Sequence, residues 1–408
     1  MGGDSFPRRP PSGIKVIVVG AGFAGLAAAI ECDRKGHSVT LLEKAENMDD
    51  MMRIGDIISF DPNGSKAFER WPGVVEAMEA VARQTTWLDL YHHQGRFVTR
   101  QSFAGERAWG RRINGHRGEL HNIIYRHAVA RGIDIRLGCR VEDYFETDDP
   151  PQAGVVLAGS GGGERLSADV VVAAEGVRSR GRKIVLGSDE NPKSSGYAVY
   201  RAWFPVSTRT PISNWVFTHV DDGNIDESWQ FPGRPEEALR YLDGWSPVVR
   251  ELVKATPDDG RLIDHKLVYR DPLPTFVSPR ARTCLIGDAA HPFLPTSIQG
   301  ASQSIEDGVV LAACLELAGA RGDDIIPTAL RAYERLRYER VHRAQATGPK
   351  TRERWHKADW SRVWENPDLI HLVREEWLLN FDAEKDAYQR YPRVVAELGV
   401  GPPLRPRL

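Results

Sequence analysis

The sequence has few cysteines, little net charge and no long apolar run, and each shortage excludes a class of protein. Only four of the 408 residues are cysteine, and they form no C-x-x-C pair. This argues against a disulfide framework or a zinc site and favours a reducing compartment. The net charge is −2, and no basic run typical of nucleic-acid binding occurs. Residues 1–13 lack the apolar core of a signal peptide, and the apolar run 14–30 is too short to cross a membrane. We therefore expect a cytoplasmic protein with neither a nucleic-acid nor a membrane partner.

The first informative stretch is residues 14–25, IKVIVVGAGFAG, where three glycines interrupt an apolar run. Residues 14–19 are mostly β-branched and apolar, which is typical of a buried parallel strand. Residues 23–36 predict a helix that closes at Gly36, and residues 37–44 predict a second strand. A β–α–β unit of about 30 residues predicts the start of a Rossmann-type domain.

The glycines and one acid of this unit predict dinucleotide binding. Gly20 permits a tight turn, Gly22 lets the backbone approach a pyrophosphate, and Gly25 lets the helix pack close to the strand. The N–H groups at the helix start favour phosphate. Glu43 ends the second strand, where a carboxylate can accept hydrogen bonds from ribose hydroxyls, so FAD or NAD fits better than NADP. The residues predicted to bind the cofactor here are Gly20, Gly22, Phe23, Ala24, Gly25, Glu43 and Lys44.

The rest of the chain predicts a nucleotide-binding domain that is interrupted and then resumed. Residues 116–131 predict a helix, and 140–176 predict strands. Residues 197–276 carry scattered aromatic residues and prolines and predict a separate sheet. Residues 282–288 again predict a buried strand, and a long helix is expected over 300–318.

The C-terminal region is rich in tryptophan and predicts helices. We expect these helices to pack on the nucleotide-binding domain, with a dimer contact as the alternative, so that the protein is a monomer or a homodimer. The tryptophans concerned are Trp355, Trp360, Trp364 and Trp377.

A second motif carries a resemblance to a known family. Residues 287–308 read GDAAHPFLPTSIQGASQSIEDG. With the glycine loop, HRGELH (116–121) and AAEGVRSRGR (173–182), this motif resembles the single-component FAD-dependent aromatic hydroxylases. These include p-hydroxybenzoate and salicylate hydroxylases, and the chain is most similar to the fungal salicylate-hydroxylase-like branch. The resemblance covers roughly residues 14–345.

The resemblance implies a fold, an activity and a set of cofactors. The fold is α/β, with a Rossmann-type, glutathione-reductase-like FAD-binding domain, an inserted β-sheet substrate domain and C-terminal helices. FAD is the implied cofactor and NADH or NADPH the transient reductant. The implied reaction hydroxylates or epoxidises a small aromatic or phenolic substrate with O₂ through a flavin C4a-hydroperoxide. The predicted domains are FAD-binding (14–70, 100–185 and 277–345), substrate (71–99 and 186–276) and C-terminal helical (346–408), and residues 1–13 are expected to form a disordered tail.

The second motif supplies the predicted flavin contacts. Asp288 follows a buried strand and can hold ribityl hydroxyls. Pro292 and Pro295 stiffen the loop implied to face the isoalloxazine ring. The helix that Gln299 and Gly300 open can aim N–H groups at the flavin N1–C2=O edge, where negative charge grows on reduction. The resemblance gives the neighbouring histidine, His291, a loop-shaping role. The predicted flavin-binding residues are Arg117, Asp288, Pro295, Gln299, Gly300 and Ala301.

The substrate pocket is expected on the separate sheet. In GYAVYRAWF (196–204), alternation places Tyr197, Val199 and Arg201 on one strand face and Tyr200 on the other. The resemblance suggests that Arg201 holds a phenolate or carboxylate near the flavin, and an ion pair at a domain interface is the alternative. Arg201 and Pro295 are the predicted catalytic residues, and no metal is expected.

Other polar and aromatic residues fit packing better than catalysis. His219 and Trp229 are more typical of packing than of substrate binding. Tyr91, His92 and His93 lack the spacing of metal ligands.

Two departures from the family keep other functions open. Glu175 stands where the family has aspartate, and the connection 207–214 is shorter than in the branch it resembles. A decayed FAD-binding relative or another flavin enzyme, such as a reductase, is therefore the alternative; the WxWxIP signature of halogenases is absent. The methionines of residues 47–60 are expected either to line the pocket mouth or to lie in a mobile loop.

Overall fold

The main sheet of the protein is parallel and buried, as the β–α–β pattern predicts. The computed structural model describes residues 7–48, 57–83, 85–159, 163–188, 191–204, 213–221, 223, 232–319 and 325–399. Its strands are β1 (Lys15–Val19), β2 (Ser38–Leu42), β3 (Ile57–Phe60), β4 (Trp87–Tyr91), β5 (Phe97–Ser102), β6 (Ile113–His116), β7 (Asp134–Arg136), β8 (Val141–Asp148), β9 (Pro151–Leu157), β10 (Arg165–Ala168), β11 (Val170–Ala173), β12 (Lys193–Phe204), β13 (Ser213–Val220), β14 (Ile263–Tyr269) and β15 (Thr283–Leu285).

The helices surround these strands. They are α1 (Phe23–Arg34), α2 (Pro62–Ser65), α3 (Val74–Val81), α4 (Arg117–Ala130), α5 (Gly181–Leu186), α6 (Pro235–Leu239), α7 (Pro247–Lys254), α8 (Gly300–Ala318), α9 (Ile325–Gln345), α10 (Thr347–His356), α11 (Trp360–Glu365), α12 (Glu376–Leu379) and α13 (Ala383–Glu397). Short 3₁₀ helices cover Phe68–Arg70, Ala104–Ala108, Arg240–Leu242, Gly287–Ala289, Pro295–Ser297 and Pro367–Ile370.

The strand order confirms the predicted interruption of the nucleotide-binding domain. In the described residues the main sheet runs β15–β11–β1–β2–β7, and each neighbouring pair is parallel. The outermost strand, β15, thus joins the sheet after the chain has left it for more than a hundred residues. α1 ends at Arg34, and Gly36 follows with a φ of +83°, a conformation that glycine adopts at little cost. The predicted Rossmann start is therefore confirmed.

Helix α8 lies directly against α1 and completes the main core. A Cβ on Gly308 would lie 2.5 Å from the backbone nitrogen of Ala28, so only glycine permits this crossing. Tyr391 of α13 is buried in the same core. The predicted α/β architecture with added C-terminal helices is confirmed.

The separate sheet is antiparallel and has the order β13–β12–β14. Alternation along β12 gives it two faces. We call the side of Tyr197, Val199, Arg201 and Trp203 the inner face, and the side of Tyr200, Ala202 and Phe204 the outer face. The outer face forms a small core of its own with α6 and α7. The predicted separation of Arg201 from Tyr200 is thus confirmed by the strand register.

Two predicted boundaries differ from the packing. Residues 71–81, assigned from sequence to the substrate domain, contribute Trp71 and Met78 to the main core. The expectation of a disordered tail over residues 1–13 is wrong for residues 7–13, because the Arg9 N–H donates to the Arg34 carbonyl at 2.9 Å. The arginines of this segment also pair with acids of the folded protein, Arg8 with Asp33 and Arg9 with Glu316. We propose that the substrate domain begins after α3.

Three of the C-terminal tryptophans have different neighbours, so the expected packing on the nucleotide-binding domain holds for Trp377 but not for Trp360 and Trp364. The ring centroids of Trp360 and Trp364 lie 4.6 and 6.1 Å from that of His92 in the β4–β5 hairpin. Trp377 instead lies under the guanidinium of Arg343 on α9, at 3.7 Å. In the parts of the chain that the structure describes, no helix has both the length and the apolar character needed to cross a bilayer.

Candidate active site

Two of the three glycines in the loop are held by close backbone approaches, and the third has free space around it. Gly20 has a φ of +101°, and a Cβ there would lie 2.5 Å from the Ala174 carbonyl oxygen. A Cβ on Gly25 would lie 1.9 Å from the Gly20 carbonyl oxygen. A Cβ on Gly22, by contrast, would meet no atom within 4 Å. Gly20 and Gly25 therefore shape the fold, whereas Gly22 leaves open space in front of the helix.

The start of α1 is suited to an anion. Gly22 is its N-cap, no side chain caps it, and its first turn contains no acid. The first N–H groups of a helix have no intrahelical partner, so those of α1 can bind phosphate. The side chain of Phe23 packs at 5.2 Å from Phe60 and is buried, which leaves its backbone rather than its ring for the cofactor. Ala24 is buried as well.

Glu43 has a role in the loop that sequence reasoning missed. One carboxylate oxygen accepts from the Ala21 N–H at 2.7 Å and the other from the Ala45 N–H at 2.9 Å. The side chain is half-buried, and the adjacent Lys44 is exposed. Glu43 thus ties the second strand to the glycine turn, and its contact with a ribose stays a prediction.

His121 also supports the glycine turn and was not predicted. Its Nε2 lies 2.6 Å from the Ala21 carbonyl oxygen, and the ring is buried. Burial lowers the pKa of His121. The neutral ring can therefore donate from Nε2 to the carbonyl.

Asp288 is exposed to solvent in the turn that follows β15. It belongs to the 3₁₀ helix Gly287–Ala289 directly after β15. Its side chain is exposed although protein surrounds it, and the surrounding protein raises the pKa of Asp288. The charges of His291 and Arg117 partly offset this rise, and solvent at the exposed carboxylate screens both effects. Arg117, which begins α4, therefore lies close enough to Asp288 for its charge to lower the pKa of that carboxyl group.

Arg182 stabilises the turn that contains Asp288. It is buried, and its Nη1 donates to the Ala289 carbonyl at 2.6 Å. Arg178, the first arginine of the AAEGVRSRGR motif, is exposed. Alternating polar residues in AAEGVRSRGR gave no signal for which arginine would point inward.

Glu175, which is one methylene longer than the aspartate of the family, caps a helix. Its Oε2 accepts from the Ser179 hydroxyl at 2.7 Å and from the Gly181 N–H at 3.1 Å. Gly181 begins α5, so the carboxylate holds a helix start. The substitution of glutamate for aspartate is therefore compatible with an ordered motif.

The 288–300 loop is fixed by contacts with the segment that joins α9 to α10. Gln345 donates to the Pro292 carbonyl at 3.0 Å, and the Thr296 hydroxyl donates to the Gly348 carbonyl at 2.9 Å. Pro295 itself is exposed at the start of its 3₁₀ helix. Ile298 has a φ of +55°, which is strained for a β-branched residue.

The start of α8 is a second helix end suited to negative charge. It has no side-chain cap and no acid in its first turn. Gly300 and Ala301 are half-exposed, so their N–H groups can reach a ligand. The side chain of Gln299, in contrast, is buried and donates to Asp61 at 2.7 Å. Gln299 therefore offers its position as N-cap rather than its amide to a flavin.

A buried acid, Asp307, holds the loop from inside α8. Its Oδ2 accepts from the Gly287 N–H at 2.8 Å and from His291 Nε2 at 2.6 Å. Its Oδ1 accepts from Arg337 Nε at 2.8 Å. Burial disfavours the charged carboxylate, but His291 and Arg337 outweigh it and lower the pKa of Asp307. His291 is thus held in a buried pair, which gives it a structural task.

The inner face of β12 points toward the start of α4 and the end of α10. The Trp203 ring lies 5.0 Å from that of His116, and the Tyr197 ring lies 5.1 Å from that of His356. Arg201 lies between these two contacts along the strand and is only 5% exposed. His265 lies opposite Val199 on the same face, is also buried and was not predicted.

His219 lies on the other side of this sheet. It stacks on Tyr200 at 4.6 Å, and its Nε2 lies 3.1 Å from Asp264. His219 is therefore a packing residue of the outer face. Trp229, residues 49–56 and most of the 207–214 connection lie outside the described residues.

The histidine pair of the β4–β5 hairpin is engaged in ring contacts. The rings of His92 and His93 lie 4.1 Å apart, and Trp245 lies 5.9 Å from His93. The described residues contain no group of histidine, cysteine and acidic side chains arranged to hold a metal ion.

The arrangement fits FAD. Two helix starts without caps can receive a pyrophosphate and the pyrimidine edge of a flavin, and the exposed Asp288 can accept from ribityl hydroxyls. The open space in front of Gly22 gives the pyrophosphate room.

Known proteins resemble this chain over most of its length. The family described as "FAD binding domain" matches residues 13–222. The asperlicin C monooxygenase of Petromyces alliaceus is 32% identical over 98% of this chain and 92% of its own. The crystal structure of CtdE in complex with FAD and substrate 4 is 31% identical, with a TM-score of 0.85 over 95% of this chain and 100% of that one. A salicylate hydroxylase substrate complex, 23% identical, has a TM-score of 0.73 over 94% of this chain and 98% of that one, which shows a shared fold alone.

Proposed function

The chain belongs to the FAD-dependent monooxygenases, and on that premise we propose that it hydroxylates or epoxidises a small aromatic or phenolic compound with NADH or NADPH and O₂. The family resemblance predicted from the motifs is confirmed, and FAD is the cofactor. The aromatic substrate, the reductant and the reaction type belong to the proposal.

One connection carries the proposal: His116 and Arg117 join the predicted flavin site to the inner face of β12. The ring of His116 contacts Trp203, and the charge of Arg117 acts on Asp288. A substrate on the inner face would therefore lie near the flavin held at Asp288. This proximity is what a reaction between a ring and a flavin requires.

The residues of the chain would divide the work between the two halves of FAD. The N–H groups of α1, with Glu43, would hold the ADP half. Asp288, Arg117 and the start of α8 would hold the flavin half. Bound FAD supplies the redox chemistry and the activation of O₂.

The protein adds charge stabilisation and orientation. The N–H groups of Gly300 and Ala301 would stabilise negative charge at the pyrimidine edge of the ring system. Arg201 would hold a phenolate or carboxylate of the substrate, since a guanidinium matches such groups in a planar, bidentate way. Its burial, with that of Val199, keeps water from the inner face.

A decayed, non-hydroxylating relative is the second candidate. The alignment with the asperlicin C monooxygenase spans 449 positions, whereas this chain has 408 residues, so that relative carries residues with no counterpart here. In this candidate the missing residues include part of the 207–214 connection, and their loss would remove pocket wall. Such a protein would bind FAD and consume NAD(P)H without forming a hydroxylated product.

The decisive experiment combines a spectrum with a product assay. The purified protein is expected to show a two-band flavin spectrum and to release about one FAD per chain, the stoichiometry of a single Rossmann-type site. Phenols, bicyclic aromatics and asperlicin C, the compound named for the relative, are then screened for stimulated NAD(P)H oxidation and for a product that has gained one oxygen atom. Full FAD content without any oxygenated product across the screen would favour the decayed relative. A protein that FAD cannot reconstitute would contradict both candidates.

A further inference from the structure

The C-terminal segment 366–375, which we call the strap, is fixed along strand β5. The side chain of Gln101 donates to the Leu372 carbonyl at 3.0 Å and accepts from the Leu372 N–H at 2.8 Å. The Thr99 hydroxyl and His371 Nε2 lie 3.2 Å apart. These contacts place Arg374, at the end of the strap, inside the protein.

Arg374 joins two acids that are far from it in sequence. Its two Nη atoms donate to Asp61 at 2.9 and 2.7 Å, and its Nε donates to Glu106 at 2.7 Å. The Arg374 side chain is 9% exposed, Asp61 0% and Glu106 10%. Burial opposes the charge on Arg374, but Asp61 and Glu106 outweigh it and raise its pKa, so the guanidinium stays charged.

Asp61 in turn holds the first turn of α8. Its Oδ2 accepts from the side chain of Gln299 at 2.7 Å, and its backbone N–H donates to the Ser302 hydroxyl at 3.0 Å. Gln299 is the N-cap of α8, and Ser302 is its third residue. Asp61 therefore forms hydrogen bonds with both the N-cap residue and the third residue of α8.

We propose that Arg374 is a positioning residue for the flavin, because it clamps Asp61 and so fixes Gln299 and the start of α8. The inference rests on the placement of the flavin proposed above. Arg374 does not touch the cofactor in this scheme. Its effect passes through the direction in which the Gly300 and Ala301 N–H groups point.

The charge of Asp61 could be balanced without Arg374. Arg112 Nε already lies 3.4 Å from Asp61 and can balance its charge. Arg374 instead adds the planar two-point contact that fixes how the carboxylate is oriented. Orientation matters here because the same Asp61 oxygen, Oδ2, serves both Arg374 and Gln299.

The consequence is electrostatic. A helix start stabilises a nearby negative charge only while its N–H groups are aimed at it, and the effect decays within one turn. Loosening the first turn of α8 should therefore make the negatively charged reduced flavin less stable. The FAD midpoint potential should become more negative.

The test uses a variant that keeps the buried charge balanced. Arg374→Met with Glu106→Gln removes one positive and one negative charge and leaves Asp61 beside Arg112. Arg390→Met is the matched control, since Arg390 lies in α13 with 48% of its side chain exposed. The two-electron midpoint potential of bound FAD is measured by dye titration, together with FAD content and thermal stability.

The double variant is expected to lower the equilibrium constant for flavin reduction by about tenfold, which equals about 30 mV for a two-electron couple. The control should keep the wild-type potential. A merely structural role would lower FAD content and thermal stability but leave the potential of the remaining bound FAD unchanged, and that result would overturn the proposal. The titration needs no aromatic substrate, so it can succeed even if the proposed hydroxylation fails.

A second variant decides the matter if the double variant does not fold. Gln101→Ala removes both contacts with Leu372 and frees the strap without altering a charge. It is expected to shift the potential in the same direction by about threefold in the equilibrium constant, because the Arg374 contacts remain but are less fixed. An unchanged potential in Gln101→Ala would then refute the role of the strap.

Discussion

The starts of α1 and α8 look alike but are held in opposite ways. Both helices begin beside a glycine, and both lack a side-chain cap and an acid in the first turn. The start of α1 is shaped by close backbone packing, with Gly20 against Ala174 and Gly25 against Gly20. The start of α8 is held by Asp61, which is 238 residues from Gln299 in the chain.

The difference shows two ways to prepare a helix start for an anion. At α1 the backbone is crowded until only glycine fits, and no buried charge is needed. At α8 the loop is irregular, and buried acids hold it by ion pairs. The first solution should fail when a methyl group is added, and the second when a charge is removed.

Asp307→Asn should have the largest effect on stability. The substitution leaves His291 and Arg337 beside a neutral amide in a fully buried site. Breaking a buried pair on one side costs about 3–5 kcal/mol. The free energy of unfolding from denaturant titration measures this loss, and the 288–300 loop should become more exposed to hydrogen exchange.

The loss of stability in Asp307→Asn should depend on pH. The pKa of Asp307 is lowered in the folded protein, so its contribution to stability is complete above the ordinary carboxyl value, near 4, and is lost as the pH falls below it. The stability difference between wild type and Asp307→Asn should therefore shrink from pH 5 to pH 3. Asp386→Asn, which breaks a pair with Arg390 on the surface of α13, is the control and should cost about 0.3–0.5 kcal/mol. Equal losses in both variants would contradict the buried-charge account of α8.

Gly25→Ala should come next, with Gly22→Ala as its matched partner. The new methyl at position 25 would lie 1.9 Å from the Gly20 carbonyl oxygen, and at position 22 it would meet nothing within 4 Å. We expect Gly25→Ala to destabilise the FAD-free protein by about 1–3 kcal/mol or more. Gly22→Ala should keep the FAD-free protein stable and weaken FAD binding alone.

Thermal unfolding of the FAD-free proteins and FAD titration separate the two glycines. The two variants make the same chemical change three residues apart, so any difference reports the position. If both lowered stability equally, crowding would not distinguish Gly25 from Gly22. Space for the pyrophosphate would then lose its support.

The sequence predicted elements well wherever local patterns determine them. The apolar run before Gly20 became β1, and the long helix over 300–318 began and ended as expected. Alternation along β12 correctly placed Arg201 and Tyr200 on opposite faces of the strand. In each case the pattern depends on residues that are neighbours in the chain.

Side-chain partners could not be predicted because they come from distant segments. Gln299 was predicted to open the helix that faces the flavin, but nothing in the sequence indicated that its amide would donate to Asp61. Glu43 was assigned to a ribose, and its two oxygens hold backbone N–H groups of the turn. The strap, with Arg374, carries no motif, since only folding brings it beside Asp61.

Asp288→Ala tests the exposed carboxylate between the two helix starts. A hydrogen bond to a charged group contributes about 1.5–3 kcal/mol, so FAD should bind about tenfold to a hundredfold more weakly. The fold should persist, because the side chain is exposed. Fluorescence titration of FAD into the cofactor-free protein measures the change, and full occupancy at wild-type affinity would argue against the ribityl contact.

Arg201→Ala should have the smallest effect on the cofactor, because it changes neither helix start. FAD affinity and the FAD midpoint potential should match wild type. The KM for an anionic aromatic substrate should rise by about tenfold, which corresponds to about 1.4 kcal/mol. Less of the NAD(P)H consumed should yield product, because a poorly held ring is less often in position for reaction.

Arg201→Lys separates the substrate role from the interface role. Lysine keeps the charge but cannot make the planar two-point contact, so the KM should lie between those of wild type and Arg201→Ala. An arginine that only pairs across the domain interface would instead show its loss in thermal stability, with KM and product yield unchanged. Arg201 lies on the inner face, whereas Arg374 acts on α8. Substitutions at Arg201 should therefore change the KM but not the FAD midpoint potential. Substitutions at Arg374 should change the FAD midpoint potential but not the KM.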